Sequence, residues 1–343
     1  MSDPQRSAAG QSFTGHLPLQ SWVISVVVLI TLGCGSAVPQ TPPERGAPVG
    51  IEVIPVPLNP TDPGQRLIGV FEYAGGIEIK ATNPATILEL SDLRVSGDDL
   101  LAISDQGLFF EARIQFDQVN RLARLTDARM IPLVGESGQP LGPKDTDAEG
   151  LDLLPDGSRL ISFEGNDRIL LYPPGGGPPR PAPRPEVRFP QNTGMEAIAF
   201  YPAAGTDAYL VGSEGGTIWL CRLSGSCSET RLGTFVPAGM NLTALAAYGE
   251  DGAFAMLSRA YEPRTGVRIS VRLIANSAAG ARLLDEMTMA PPLNVDNFEG
   301  IAAVPRPDGG IRLYLVSDDN GSGTQRTYLF AFDRPKTENT TNR

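Results

Sequence analysis

The sequence predicts an all-β chain folded as a β-propeller of five or six blades. Three observations carry this expectation. A four-residue motif recurs five times: any residue, then Glu, Ser or Thr, then Gly, Ala or Asp, then Leu or Ile. Its copies are Leu90-Ser91-Asp92-Leu93, Ala148-Glu149-Gly150-Leu151, Met195-Glu196-Ala197-Ile198, Leu242-Thr243-Ala244-Leu245 and Phe298-Glu299-Gly300-Ile301. The copies start 58, 47, 47 and 56 residues apart, a period near that of a four-stranded blade. Gly (38) and Pro (31) break the chain into short apolar runs with almost no helical periodicity, which favours strands. One blade cannot bury both faces alone, so the repeats must close on one another.

The stretch Asp145–Leu171 shows the module most clearly. It reads as strands over Glu149–Leu154, Arg159–Phe163 and Arg168–Leu171, with the turn Pro155-Asp156-Gly157 after the first. Blade one is expected over Ala85–Leu133, with Leu108–Phe116 and Arg121–Leu133 as its outer strands. Blade two reaches Pro190 and is interrupted by the low-complexity Pro173–Pro185, expected as an exposed loop. Blades three and four cover Gly194–Pro237 and Leu242–Pro291. The last blade, from Asp296, shows only three strands and ends at Phe332. Propellers commonly close by pairing strands from both chain ends. The segment Leu67–Ile79, read as a hairpin about Gly75-Gly76, is the natural donor of the fourth strand; the other reading places it in a weak sixth blade.

Upstream, Trp22–Leu32 (WVISVVVLITL) is apolar and too short for a membrane span but suited to a signal-peptide core. Thr31-Leu32-Gly33-Cys34 resembles a bacterial lipoprotein cleavage box, with Cys34 as the lipidated residue. A plain secretory signal and an uncleaved anchor are the competing readings. The expected organisation is a signal peptide over 1–33, a Pro-rich tether over 34–66, the propeller over 67–335 and a disordered tail over 336–343. The expected location is the cell envelope, with a monomer held to a bacterial membrane through its lipid. The two other cysteines, Cys221 and Cys227, flank Ser224-Gly225. A tight turn there sets the sulfurs opposite each other, and an exported protein favours a disulfide; two buried thiols are the alternative.

The net charge of −11 and the presence of only three lysines argue against nucleic acid as a partner. The single histidine is His16, within the leader. Once the leader is removed no imidazole remains, which excludes Ser-His-Asp triads and His-ligated zinc. Chemistry must then rest on carboxylates, Arg, Lys, Tyr, backbone amides or an oxygen-ligated metal.

Residues at equivalent repeat positions form rings about a propeller axis. The first ring is Ser91, Glu149, Glu196, Thr243 and Glu299. The second, closing the next apolar run of each copy, is Asp105, Glu164, Glu214, Arg259 and Asp318. Seven carboxylates and one guanidinium would share a space. Crowded carboxylates raise one another's pKa, and a hard cation relieves the repulsion. Calcium is therefore the expected ion, with Glu149, Glu196, Glu299, Asp318, Asn320, Asp105, Glu164 and Glu214 as candidate ligands. Glu149, Glu196, Glu299 and Arg259 are the candidate catalytic groups. Each acid has a plainer alternative, capping a strand or holding a backbone amide. Asp145-Thr146-Asp147-Ala148-Glu149-Gly150 opens like an EF-hand loop, but Pro155 and the lack of flanking helices exclude one. Asp145 and Asp147 add oxygens near the same mouth, or are solvated loop acids. Asp318-Asp319-Asn320-Gly321 reads either as ligands or as an Asx turn.

The segments DAEGLDLLPDGSRLISFEGNDRI, GMEAIAFYP, NFEGIAAVP and LYLVSDDNGSGTQRTYLFAF resemble the bacterial phytase-like family, "esterase-like activity of phytase", over about Thr86–Asp333. The resemblance implies hydrolysis of phosphoesters or carboxylic esters on a propeller, with calcium. It points by position to Glu149, Glu196, Glu299, Asp318 and Asn320. Glu196 departs from the family pattern, being followed by Ala197 where Gly is usual. The expected function is metal-assisted hydrolysis of a small ester or phosphoester. Two others compete: a non-catalytic envelope propeller that binds a glycan, peptide or protein, and a calcium-dependent lactonase-like propeller. Phe109, Phe110, Tyr201 and Trp219 would form the binding patch if they faced solvent.

Overall fold

A computed structural model describes residues 46–190 and 193–336. It shows five antiparallel sheets, so the blade count is five. Blade one comprises Leu90–Ser96, Asp99–Ser104, Leu108–Phe116 and Leu122–Pro132. Blade two comprises Ala148–Leu153, Arg159–Phe163, Arg168–Tyr172 and Arg180–Ala182. Blade three comprises Ala197–Phe200, Ala208–Gly212, Ile218–Arg222 and Cys227–Glu229. Blade four comprises Asn241–Ala247, Phe254–Glu262, Gly266–Ser277 and Gly280–Met289. Blade five takes Asn297–Pro305, Ile311–Asp318 and Thr327–Arg334 from the end of the chain. Among the described residues there is no α-helix.

The fourth strand of blade five is Phe71–Ala81, which pairs with Thr327–Arg334. The ring thus closes through strands from both ends of the chain, as the missing strand implied. Gly75-Gly76 does not make a hairpin. The strand runs through it, and the tight turn lies earlier, between Leu67–Ile68 and Phe71. Ala74-Gly75 is instead a bulge opposite Phe330–Phe332, and Gly75 has φ +100° with the Leu122 carbonyl oxygen 2.5 Å from where a Cβ would sit. Only glycine fits that backbone.

Two segments read as irregular carry strands. Ala47–Pro48 pairs with the outer strand of blade one and Ile51–Pro55 with Phe71–Ala81, so residues 47–66 belong to the propeller rather than to a tether. Arg180–Ala182 is the outer strand of blade two inside the Pro-rich insert. Pro is tolerated there because an outer strand has one edge that needs no partner. His16, Cys34 and the apolar run Trp22–Leu32 lie outside the described residues.

Five apolar clusters fill the five gaps between neighbouring blades. Ile103, Phe109, Ile161 and Phe163 join blades one and two. Leu160, Leu171, Tyr209 and Trp219 join two and three. Leu210, Ile218, Phe254 and Met256 join three and four. Leu257, Val271, Phe298 and Phe330 join four and five, and Ile77, Leu93, Phe110 and Leu329 join five and one. This explains why Ile311–Asp318 is buried along its whole length. Phe109, Phe110, Tyr201 and Trp219 are all buried and belong to these gaps. Cys221 and Cys227 face each other on the outer strands of blade three and form a disulfide.

The inner strands meet at one side chain. Arg94 of blade one is buried on the axis and spends its guanidinium on all five blades. Its Nη1 donates to the Leu93 carbonyl at 2.5 Å and the Ile301 carbonyl at 3.0 Å. Its Nη2 donates to the Ile198 carbonyl at 2.9 Å and the Leu245 carbonyl at 3.0 Å. Its Nε donates to Asp152 Oδ1 of blade two at 2.8 Å. Asp92, fully buried, accepts from Arg94 Nη1 at 3.2 Å, from Leu151 N at 3.0 Å and from Ile301 N at 3.3 Å. The four carbonyls belong to the last position of four motif copies. Arg94 therefore closes the central channel partway along. Replacing Arg94 by Met should lower stability by about 3–5 kcal/mol, the usual cost of orphaning a buried charge partner, read from urea unfolding. A change below about 1 kcal/mol would mean that the inner strands do not lean on this hub.

Candidate metal centre

The motif is a β-bulge at the start of an inner strand. In blade one Leu90 faces Ser104 and Asp92 faces Ile103, leaving Ser91 as the extra residue. The same slip leaves Thr243 extra in blade four and Glu299 extra in blade five. In blade two Ala148 faces Phe163 and Leu151 faces Ile161, so Glu149 and Gly150 share one partner. Glu196 directly precedes the inner strand of blade three. A bulge takes one side chain out of the alternation and re-aims it. The small third residue follows from crowding by the next blade: a Cβ on Gly150 would lie 2.9 Å from the Glu196 carbonyl oxygen, and one on Gly300 would lie 2.7 Å from Asp92 Cα.

These bulges bring the three glutamates into one basin at the channel mouth. Burial pushes the Glu149 carboxyl well above its ordinary range, and Glu196, Glu299, Asp147 and Glu164 push it further. Burial likewise raises Glu196, helped by Glu164, Glu299, Glu214 and Asp147. Burial and then Asp318 lift Glu299 to about 8, against the pull of Arg259 and the Asn297 amide. The Arg259 guanidinium stands 3.3 Å from Glu299 Oε1. Carboxylate oxygens of Asp147, Glu149 and Glu164 all lie within 4.8 Å of one another.

The second ring is also present. Glu164 accepts from Gly194 N at 3.3 Å, and Glu214 from Asn241 Nδ2 at 2.6 Å. Asp105 is lifted to about 8 by burial and by a hydrogen bond with Glu89. Asp318 is lifted to about 6 by burial. Asn320 is not part of the basin's wall. It is exposed at φ +49°, its N–H bound by Asp318 at 2.8 Å and its amide donating to Gln325 at 3.2 Å, which is the Asx-turn reading. Asp145 is a loop tie: its carboxylate accepts from Asn166 at 3.1 Å.

A third ring escaped the sequence reading. The residue two before each bulged position is Glu89, Asp147, Gly194, Asn241 and Asn297, and all but Gly194 present a polar side chain to the same basin. Their backbones pair with the second ring, as in Asp105 N to Glu89 O at 3.2 Å and Glu164 N to Asp147 O at 2.9 Å. The signal was in the sequence at a fixed offset from the motif. Asn297 is 2% exposed and its Nδ2 donates to Glu299 Oε1 at 2.7 Å and Asp318 Oδ2 at 3.4 Å, while its Oδ1 is buried with no partner. An orphaned buried carbonyl oxygen among carboxylates suits an added cation better than it suits the bare protein.

The fold and this basin define the chain as a five-bladed propeller with a carboxylate-lined mouth. The chain belongs to the phytase-like family: the model of that family, described as esterase-like activity of phytase, matches residues 86–321. No curated relative matches the sequence. Distant solved structures include virginiamycin B lyase from Staphylococcus aureus, a catalytically inactive variant with quinupristin, at 10% identity and TM-score 0.39, covering 84% of this chain and 100% of that one. A putative 6-phosphogluconolactonase from Bacteroides uniformis has 12% identity and TM-score 0.36, covering 80% and 82%. The PQQ-bound aldose sugar dehydrogenase from Streptomyces coelicolor has 12% identity and TM-score 0.37, covering 72% and 95%. Likenesses this distant transfer neither residues nor chemistry.

The raised carboxyls fix the sign of a pH effect. They bind protons more tightly folded than unfolded, so the metal-free domain should lose stability as pH climbs from about 4.5 towards 8. Each group contributes at most about 1.4 kcal/mol per pH unit. Urea midpoints at pH 5, 6.5 and 8 measure the slope, and Glu299→Gln should flatten it. A level or rising profile would show that the acids do not share one space.

Proposed function

We propose that the protein is an exported hydrolase of a small ester or phosphoester, working at the carboxylate-lined mouth with a hard divalent cation of the calcium type. The observation that carries this reading is the convergence of Glu149, Glu196 and Glu299 from three blades, each raised by burial and by neighbouring acids. Asp147, Glu149 and Glu164 are the set that would hold the cation, since their oxygens already lie within one ion's reach and calcium takes oxygen donors in loose geometry. When bound, such an ion polarises an ester oxygen and makes water more acidic.

The chain's own groups divide the remaining work. Glu196 is the proton carrier, because burial and its acidic neighbours favour its protonated form. Arg259 is the cation set against these acids and meets the negative charge that builds on the substrate oxygen. Glu299 holds Arg259 in place and is itself held by Asn297. Arg94 seals the channel below, so substrate enters and product leaves by the mouth. Two guanidiniums, Arg259 and Arg168, among so many carboxylates disfavour a polyanion such as phytate. A simple phosphoester, carboxylic ester or lactone suits the charge better. Phe109, Phe110, Tyr201 and Trp219, the aromatics of the expected binding patch, are buried between blades, which favours the hydrolase over a purely binding propeller; Tyr261 alone among the described aromatics is strongly exposed. The Cys221–Cys227 disulfide supports an oxidising compartment, in keeping with export and with lipid attachment at Cys34.

Chelator-stripped protein should bind calcium in a calorimetric titration and release protons as it does so. A panel of esters, lactones and phosphoesters should show calcium-stimulated turnover of at least one class. Glu149→Gln should reduce that turnover by about 100-fold or more while the unfolding transition is kept. Calcium binding without turnover on any member would leave the binding propeller as the better reading, and no calcium binding at all would remove the cation.

A further inference from the structure

The far face of the propeller gathers arginines among acids. There, where the inner strands end and blades five and one adjoin, lies a cavity of about 380 Å³ lined by four arginines, Arg66, Arg121, Arg306 and Arg312. We propose that this cavity binds a small oxyanion-bearing ligand, a carboxylate or a phosphate, between Arg66 and Arg121.

Two of the four guanidiniums are already spent. Arg312 grips Asp333 through Nε and Nη2, each at 2.7 Å, and also donates to the Asn120 carbonyl at 2.9 Å. Arg306 pairs with the same Asp333 and with Asp308 at 2.8 Å. These contacts fix one wall of the cavity and leave its acids occupied.

The other two face acids, Arg66 towards Glu72 and both towards Asp117, but keep N–H groups without an acceptor. Arg66 donates through Nη2 to the Tyr73 carbonyl, but its Nε is buried and meets no acceptor. Glu72 Oε1, the nearest acid, is 3.8 Å away and half exposed, beyond hydrogen-bond reach. Arg121 donates its main-chain N–H to Asp117 Oδ1 at 2.9 Å, and its charge helps hold that carboxyl low. Among the described residues no acceptor meets its side chain. A buried N–H with no partner is costly until an acceptor arrives. A guanidinium presents paired donors that match the two oxygens of a carboxylate or phosphate. Asp117, Glu72, Asp308 and Asp333 keep the cavity from being strongly cationic, so selectivity falls on a small anion that meets the Arg121 guanidinium rather than on extended polyanions.

The site is independent of the carboxylate mouth, and its test avoids activity. Inorganic phosphate and acetate are titrated separately, by calorimetry, into the chelator-stripped full-length protein, with no divalent cation present. Binding of at least one is expected, and which of the two binds more tightly tells phosphate from carboxylate as the ligand class. Arg121→Gln, at a partly buried position, should weaken binding at least tenfold with the urea midpoint kept. Glu72→Gln should tighten it severalfold by removing the competing charge. Arg259→Gln, in the mouth, should change nothing. Absence of binding by both anions, or binding that Arg121→Gln leaves unchanged, would overturn the proposal.

Discussion

A single guanidinium sets the architecture. Inner strands of a propeller converge on an axis where their bulged starts cannot all pair with a neighbour, and backbone groups left unpaired there are costly. Arg94 supplies five N–H donors in a fixed fork and directs them to Leu93, Ile198, Leu245, Ile301 and Asp152. Asp92 meets the charge and takes the Leu151 and Ile301 amides. Five blades suit this arrangement because one side chain can reach all of them. The apolar clusters between blades supply the bulk of the burial, but they do not choose the number of blades. The hub ties each inner strand to a common point, and each bulge starts within a few residues of it.

The mouth depends on that fixed geometry. A bulge aims a side chain only if its strand is held on both sides. Gly150 and Gly300 let the next inner strand come close enough to do so. The acids are therefore brought together by backbone packing, not by attraction among themselves. Their mutual repulsion works against the fold and is met by the interblade packing. Such stored repulsion is common where function needs a group in an unfavourable state. Proteins that break a local rule of charge pairing tend to do so at a site.

Much of the fold was legible because the repeat is a physical unit. The motif positions mark bulges, and the acids or Arg that close the second runs mark the partners of those bulges. The absent strand at the end of the chain pointed correctly to Leu67–Ile79. Where the reading failed, composition stood in for geometry. Gly75-Gly76 looked like a turn, yet glycine serves a bulge equally well, and only the pairing with Phe330 tells them apart. Pro-rich stretches at 47–66 and 180–182 looked irregular, yet an outer strand tolerates Pro. At the site, Glu149, Glu196 and Glu299 were found together because they share a register. Asn320 was chosen for its neighbours in sequence, and its turn spends it locally. Asp92 and Arg94 looked like a degenerate copy of the motif. Their role needs all five blades in view, which no single repeat reveals.

The two faces of the ring differ in how their charges are settled. On the far face, arginines and acids alternate within reach of one another, and Asp333 alone satisfies two guanidiniums. At the mouth, Arg259 is set against Asp105, Asp147, Glu149, Glu164, Glu196, Glu214, Glu299 and Asp318, so direct pairing cannot neutralise the set. The remaining charge must be met by protons or by a cation. Protons hold the basin together at low pH, when the carboxyls keep them. A hard cation, as proposed, would do so at higher pH by displacing them. Asn297 bears on this: its amide already serves Glu299 and Asp318, and its buried Oδ1 has no partner. An ion with oxygen ligands gives that atom a partner, which is the physical reason to favour a cation over protons as the mouth's working state.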